Sequence, residues 1–191
     1  RRLGPDIVSA IAEDKVNILF FGNITYDKGI DILISAVNDL EPELRCKANV
    51  IIAGKDCDGT VYRVQPSDKA AFKIVLRHIE DDELVYLYEH TDYVALPYRK
   101  TSQSGILEMA FYFHKPILAS DVPYFRRMLT EFPSFGILSG KDVPAYAETL
   151  TSVIGLHSSA AYFTDEDYFR YTNRTEIEVF KEQFATWLKV I

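Results

Sequence analysis

A run of small and polar residues, Ser102-Gln103-Ser104-Gly105, stands between two apolar stretches, Tyr93-Val-Ala-Leu-Pro97 and Pro116-Ile-Leu-Ala-Ser120. The chemistry these residues suit is anion binding, because hydroxyl and amide groups bind phosphate or sugar oxygens. Good helix formers follow Gly105, so the loop ends where a helix begins, with Ser104 or Gly105 as the cap. A helix start carries unpaired amides and the positive end of the dipole. A glycine there lets a ligand approach the backbone. A capped helix that binds nothing has the same local sequence, so the rest of the chain must decide between the two readings.

A second loop of this kind lies earlier. The apolar run Val16-Asn-Ile-Leu-Phe-Phe-Gly22 reads as a buried strand, and Gly22-Asn-Ile-Thr-Tyr-Asp-Lys-Gly29 follows it as a turn. Ile30, Ile32, Leu33, Val37 and Leu40 then fall near helical spacing. Lys28, alone in such a turn, reads first as a solvated loop lysine. Further strands are expected at Ala48–Gly54, Phe72–Ile79 and Phe135–Gly140. Helices are expected at Asp81–His90, Phe125–Glu131, Val143–Ile154 and Thr175–Val190, with short helical segments at Asp6–Glu13 and Pro66–Ala71. The aromatic, acidic stretch 158–173 has no clear periodicity.

Strands alternating with helices imply an α/β fold: a Rossmann-like parallel sheet with helices on both faces. In such folds ligands bind outside the carboxyl ends of the strands. Gly22–Gly29, Gly54–Asp58, Arg77–Glu80 and Tyr98–Gly105 all lie at those ends, so one cleft is expected to collect all four loops.

At 191 residues the chain suffices for one domain with a full core, followed by a C-terminal helical extension over 158–191. A net charge of −7 argues against a nucleic-acid partner. No apolar run reaches the ~20 residues of a membrane span. Two cysteines and four histidines show neither a disulfide framework nor metal-ligand spacing, so a reduced, cytoplasmic protein without a metal is expected. The opening Arg1-Arg-Leu-Gly-Pro5, without an initiator Met, reads as part of a longer protein.

The order of motifs is more specific than any single one. Phe20-Phe-Gly-Asn-Ile with Lys28-Gly-Ile-Asp comes first, then Ile51-Ile-Ala-Gly-Lys, then Ile79-Glu-Asp-Asp-Glu-Leu. Leu96-Pro-Tyr-Arg, Thr101-Ser-Gln-Ser-Gly and Lys115-Pro-Ile-Leu-Ala-Ser-Asp121 complete the series. From about residue 16 to residue 155 it resembles the C-terminal half of retaining glycosyltransferases of the GT-B fold, family four, glycosyl transferases group 1. That family includes many polysaccharide and glycolipid enzymes.

The resemblance implies that the chain binds the nucleoside diphosphate of a sugar donor, with no metal or other cofactor. Lys28 matches the diphosphate-binding lysine, whose charge replaces a metal ion. Gly22 and Asn23 line the first loop. Gly105, Ile106 and Leu107 offer backbone amides to the phosphates, beside Ser102, Gln103 and Ser104. His78 and Ile79 stand where the base is held, a core role for Ile79 being the alternative. The acceptor, a glycan or lipid, is expected to be met through an N-terminal domain, with peripheral association at the inner face of the membrane compatible with it.

The chain departs from the family pattern in three ways. Asn23 and Thr25 occupy the places of a first-loop arginine, which removes a bidentate phosphate clamp. Arg99 or Lys100 is the candidate substitute, with surface solvation the alternative. Thr101 and Met109 stand where family members carry a spaced pair of glutamates. Glu108 is one residue out of place, a rotation of about 100° on a helix, so it reaches the ribose or merely favours the helix dipole. These departures motivate an alternative function: a non-catalytic, glycosyltransferase-like binding or partner module. A nicotinamide-dependent enzyme is disfavoured, because no Gly-x-Gly-x-x-Gly follows the first strand.

Overall fold

The computed structural model describes residues 3–156 and 162–173. The helix α1 (Pro5–Val8) leads into β1 (Val16–Phe21), then α2 (Ile30–Asn38), α3 (Pro42–Arg45) and β2 (Ala48–Ala53). Next come β3 (Phe72–Val75), α4 (Asp81–His90), β4 (Tyr93–Leu96), α5 (Gly105–Tyr112) and β5 (Ile117–Ser120). The helix α6 (Pro123–Glu131), β6 (Gly136–Ser139) and α7 (Val143–Gly155) follow, and residues 165–173 are helical. The six strands form one sheet in the order β3-β2-β1-β4-β5-β6, with every pair parallel.

The continuous apolar runs have a simple cause: the central strands are covered on both faces. Ile18, Phe20, Val50, Ile52 and Ala95 point to one side, where α2 and α7 pack over them. Leu19, Ile51, Val94, Leu96 and Ile117 point to the other, beneath Leu87 of α4, Phe111 of α5 and Phe125 of α6. Burying each such side chain contributes roughly 1.5–3 kcal/mol before the entropy of ordering is subtracted.

Three expected segments are shorter than their patterns suggest. Helix α1 stops at Val8 because side chains claim the backbone beyond it. The Ala12 amide donates to the Asn17 Oδ1 at 3.0 Å, and the Asn49 Nδ2 donates to the Ala10 carbonyl at 2.8 Å. The strand expected at Phe72–Ile79 ends at Val75, and Arg77–Ile79 peel away to form a wall of the cleft. Only a single 3-10 turn, Lys69–Ala71, forms in the segment 66–71, where the Ser67 amide donates to Asn38 Oδ1 at 2.8 Å instead of a helix carbonyl. The helix expected at Thr175–Val190 lies outside the described residues.

Chain order reverses between β1 and β4: from β1 the sheet grows one way through β2 and β3, and from β4 the other way. At such a switch point the loops that leave two adjacent strands diverge and open a crevice at their carboxyl ends. The loops bearing Lys28 and Gly105 are those two.

Candidate functional site

The crevice at the switch point is a hollow of about 540 Å³. Phe21, Gly22, Asn23 and Lys28 line it from the loop after β1, Gly54 and Lys55 from the loop after β2. Arg77, His78 and Ile79 close it beyond β3, and Gly105 and Ile106 face it from the start of α5. Loops from four strand ends therefore converge, as the alternation of elements implies.

Local sequence explains how Lys28 gets there. A 3-10 turn, Tyr26–Lys28, ends on Gly29 at φ 65°, and the chain turns directly into α2. The Lys28 ammonium then lies inward, where its Nζ donates to the Tyr98 hydroxyl at 3.0 Å and sits 4.8 Å from that ring's centre. Burial pushes the Lys28 pKa down, since the charged form loses water without gaining a carboxylate. An anion in the hollow would restore what burial removes.

Tyr98 is 3% exposed and reaches both halves of the site. Its hydroxyl accepts from Lys28; burial raises its pKa, and the nearby Ser104 side chain opposes that rise. Ser104 is the N-cap of α5; its Oγ accepts from the Leu107 amide at 3.3 Å. That leaves the amides of Gly105 and Ile106, ahead of the first intrahelical bond, with no partner among the described residues. One phenol from the loop after β4 thus meets the cation of the loop after β1, near the cap of the amide-bearing helix. Gly22 has φ 118°, and a methyl on it would lie 3.7 Å from the Lys28 Nζ and 3.4 Å from the Ile106 Cδ1. Its bare α carbon keeps the space between them open.

The other candidates are placed differently. Ser102 and Gln103 are exposed on the loop and do not line the hollow. Ser104 is buried as the cap, and Leu107 is buried in the core with its amide taken by Ser104. Arg99 turns away from the hollow. Its guanidinium clasps the Asp31 carboxylate at 2.7 and 2.8 Å and covers the Tyr26 ring at 3.9 Å. Lys100 pairs with Asp27 at 3.2 Å. Neither supplies the charge of the missing arginine.

Glu108 lies in a second, mostly apolar hollow of about 470 Å³, with Met109, Tyr112, Tyr168 and Thr172. Its carboxylate accepts from the Tyr171 and Tyr124 hydroxyls. The one-residue offset on α5 thus turns it toward residues 165–173 rather than toward the amides.

Sequence reasoning placed Tyr98, Lys55 and Arg77 in the loops of the cleft but gave none of them a role. Tyr98 sat in view in Leu96-Pro-Tyr-Arg, but nothing in a pattern says that a tyrosine reaches two loops. Arg77 donates two bonds of 2.7 Å to Glu83 and two of 3.0 Å to Asp6. The Arg77 guanidinium holds the Glu83 carboxyl down to about 2, helped by the Glu80 and Gly4 amides. Among the described residues no group of His, Cys, Asp and Glu could hold a metal ion, and no helix is long and apolar enough to cross a membrane.

Residues 6–167 match the family described as glycosyl transferases group 1. The chain belongs to the glycosyl transferases group 1 family. No curated protein matches it in sequence. Solved structures share the glycosyltransferase fold at low identity. Sucrose-phosphate synthase from Thermosynechococcus elongatus is 16% identical, with 96% of this chain and 50% of that chain covered and a TM-score of 0.68. Anabaena HepE in complex with UDP is 17% identical, covering 98% and 54%, at 0.72. The α,α-trehalose-phosphate synthase (UDP-forming) from Burkholderia vietnamiensis is 9% identical, covering 97% and 47%, at 0.73. The chain spans about half the length of these glycosyltransferases. At such identities the likeness establishes the Rossmann-like, GT-B type of architecture and no more.

Proposed function

We propose that this chain is the donor-binding half of a retaining glycosyltransferase, which moves a hexose from a nucleoside-diphosphate sugar to a glycan or lipid acceptor. The observation that carries the proposal is the shared hollow: the Lys28 ammonium and the Gly105 and Ile106 amides face the same space at the switch point. Both favour negative charge, one as a partly desolvated cation and the others as the positive end of α5. UDP held by HepE is consistent with this ligand class.

In this reading the diphosphate lies between Lys28 and the start of α5, and the base lies toward His78 and Ile79. As the bond to the anomeric carbon breaks, negative charge grows on the departing phosphate oxygen. Charge fixed in place beforehand stabilises that state more than the ground state. Lys28, held by Tyr98, meets this requirement without a metal. The acceptor and any group acting on it belong to the part of the enzyme facing the hollow.

Titration calorimetry with UDP and GDP tests the proposal. The chain is expected to bind one of them, and Lys28→Ala to weaken that binding by at least about tenfold, the loss of one charge-assisted contact. A second reading, a non-catalytic binding or partner module, is favoured by the commitment of Glu108 to Tyr171 and of Arg99 to Asp31. Absence of binding, or binding indifferent to Lys28→Ala, would select it.

A further inference from the structure

The loops after β1 and β2 are locked together beside the hollow. The Ile24 amide donates to the Lys55 carbonyl at 2.8 Å, and the Cys57 amide donates to the Ile24 carbonyl at 2.9 Å. Ile24 and Asp56 form a parallel bridge. Gly54 makes the contact feasible: at φ 137°, a methyl on it would sit 2.0 Å from the Gly22 carbonyl oxygen. The next residue, Lys55, lines the hollow alongside Gly22 and Asn23.

A diphosphate diester carries two negative charges, and Lys28 neutralises one. The first loop holds Asn23 and Thr25 and no arginine. The other nearby cations are already engaged: Arg99 by Asp31, Lys100 by Asp27, and Arg77 by Asp6 and Glu83. Lys55 lines the hollow and has no carboxylate partner among the described residues. Resting on the donor-binding reading, we infer that Lys55 is a second diphosphate-binding residue, supplying from the loop after β2 a second positive charge where the loop after β1 has Lys28 but no arginine. The substitution of one loop for another is possible because backbone hydrogen bonds hold the two in register. Lys55 is exposed, so its contribution is smaller than that of Lys28 and is screened by salt.

The test compares UDP, GDP and the uncharged nucleosides uridine and guanosine by titration calorimetry, at low and high salt, on wild type and four variants. Lys55→Ala is expected to raise the Kd of the preferred diphosphate roughly fivefold at low salt and less at high salt. It should leave the nucleoside unchanged, whereas Lys55→Arg should stay within about twofold of wild type and Lys100→Ala should match it. An unchanged diphosphate Kd in Lys55→Ala, with Lys28→Ala still impaired, overturns the assignment of Lys55 and leaves the donor-binding reading standing. Equal weakening of nucleoside and diphosphate also overturns it, because the lost contact would then lie on the base or ribose and not on the phosphates. If wild type binds neither diphosphate, both the donor-binding reading and the role of Lys55 fall.

Discussion

Gly105→Ala separates what the fold needs from what the ligand needs. A methyl on Gly105 meets no heavy atom within 4 Å, and the residue opens α5 with backbone angles open to any side chain. Folding therefore gives no reason for glycine at this position. Alanine is the better helix former by up to ~1 kcal/mol, less at a helix start, so stability should hold or rise slightly. The ligand has a reason. A diphosphate seated on the Gly105 and Ile106 amides would meet the new methyl and withdraw. One hydrogen bond to a charged group is worth about 1.5–3 kcal/mol, which corresponds to roughly a tenfold to hundredfold rise in Kd. Thermal denaturation and calorimetry with the preferred nucleoside diphosphate read the two effects separately. Unchanged affinity in a fully folded variant would refute the placement of phosphate at the start of α5. A marked drop in melting temperature would refute the steric argument itself.

Two further outcomes follow from the partners of the site. Tyr98→Phe removes the hydroxyl that accepts from Lys28 and holds it beside the start of α5. Diphosphate affinity is expected to fall about fivefold or more while uridine or guanosine binding stays level, the size of one weakened charge-assisted bond; equal binding of diphosphate by the variant would show that Lys28 is positioned without it. The Glu83 carboxyl, held near 2 by Arg77 against an ordinary 4.5, is a depressed acid, so its contribution to stability is complete above 4.5 and fades as pH falls toward 2. Acid titration followed by circular dichroism should show that Glu83→Gln loses much of the stability difference between neutral pH and pH values inside that window. An identical acid dependence in the variant would show that the Arg77–Glu83 pair does not govern it.

The alternation of strands and helices was legible without coordinates because it rests on local physics. Runs such as Val50-Ile-Ile read as two-sided burial, and α4 announces itself through the acids Asp81, Asp82 and Glu83 in its first turn. The cap of α5, narrowed by sequence to Ser104 or Gly105 and found to be Ser104, was equally local: a hydroxyl beside the first amides of a helix needs only neighbouring residues. The convergence of the Lys28 and Gly105 loops followed from topology, since parallel strands put these turns at one end of the sheet. What the sequence could not assign was which cations face the hollow. Arg99, Lys100, Lys55 and Arg77 are alike as letters, and their roles depend on which carboxylates the fold brings to them: distant Asp31 and Asp27 withdraw the first two, and distant Asp6 together with nearby Glu83 holds the last. The same holds for Tyr98, whose reach across two loops exists only after β1 and β4 pair. Charge and helix pattern are properties of a segment; the pairing of a charge is a property of the folded neighbourhood, and only the tertiary structure decides it.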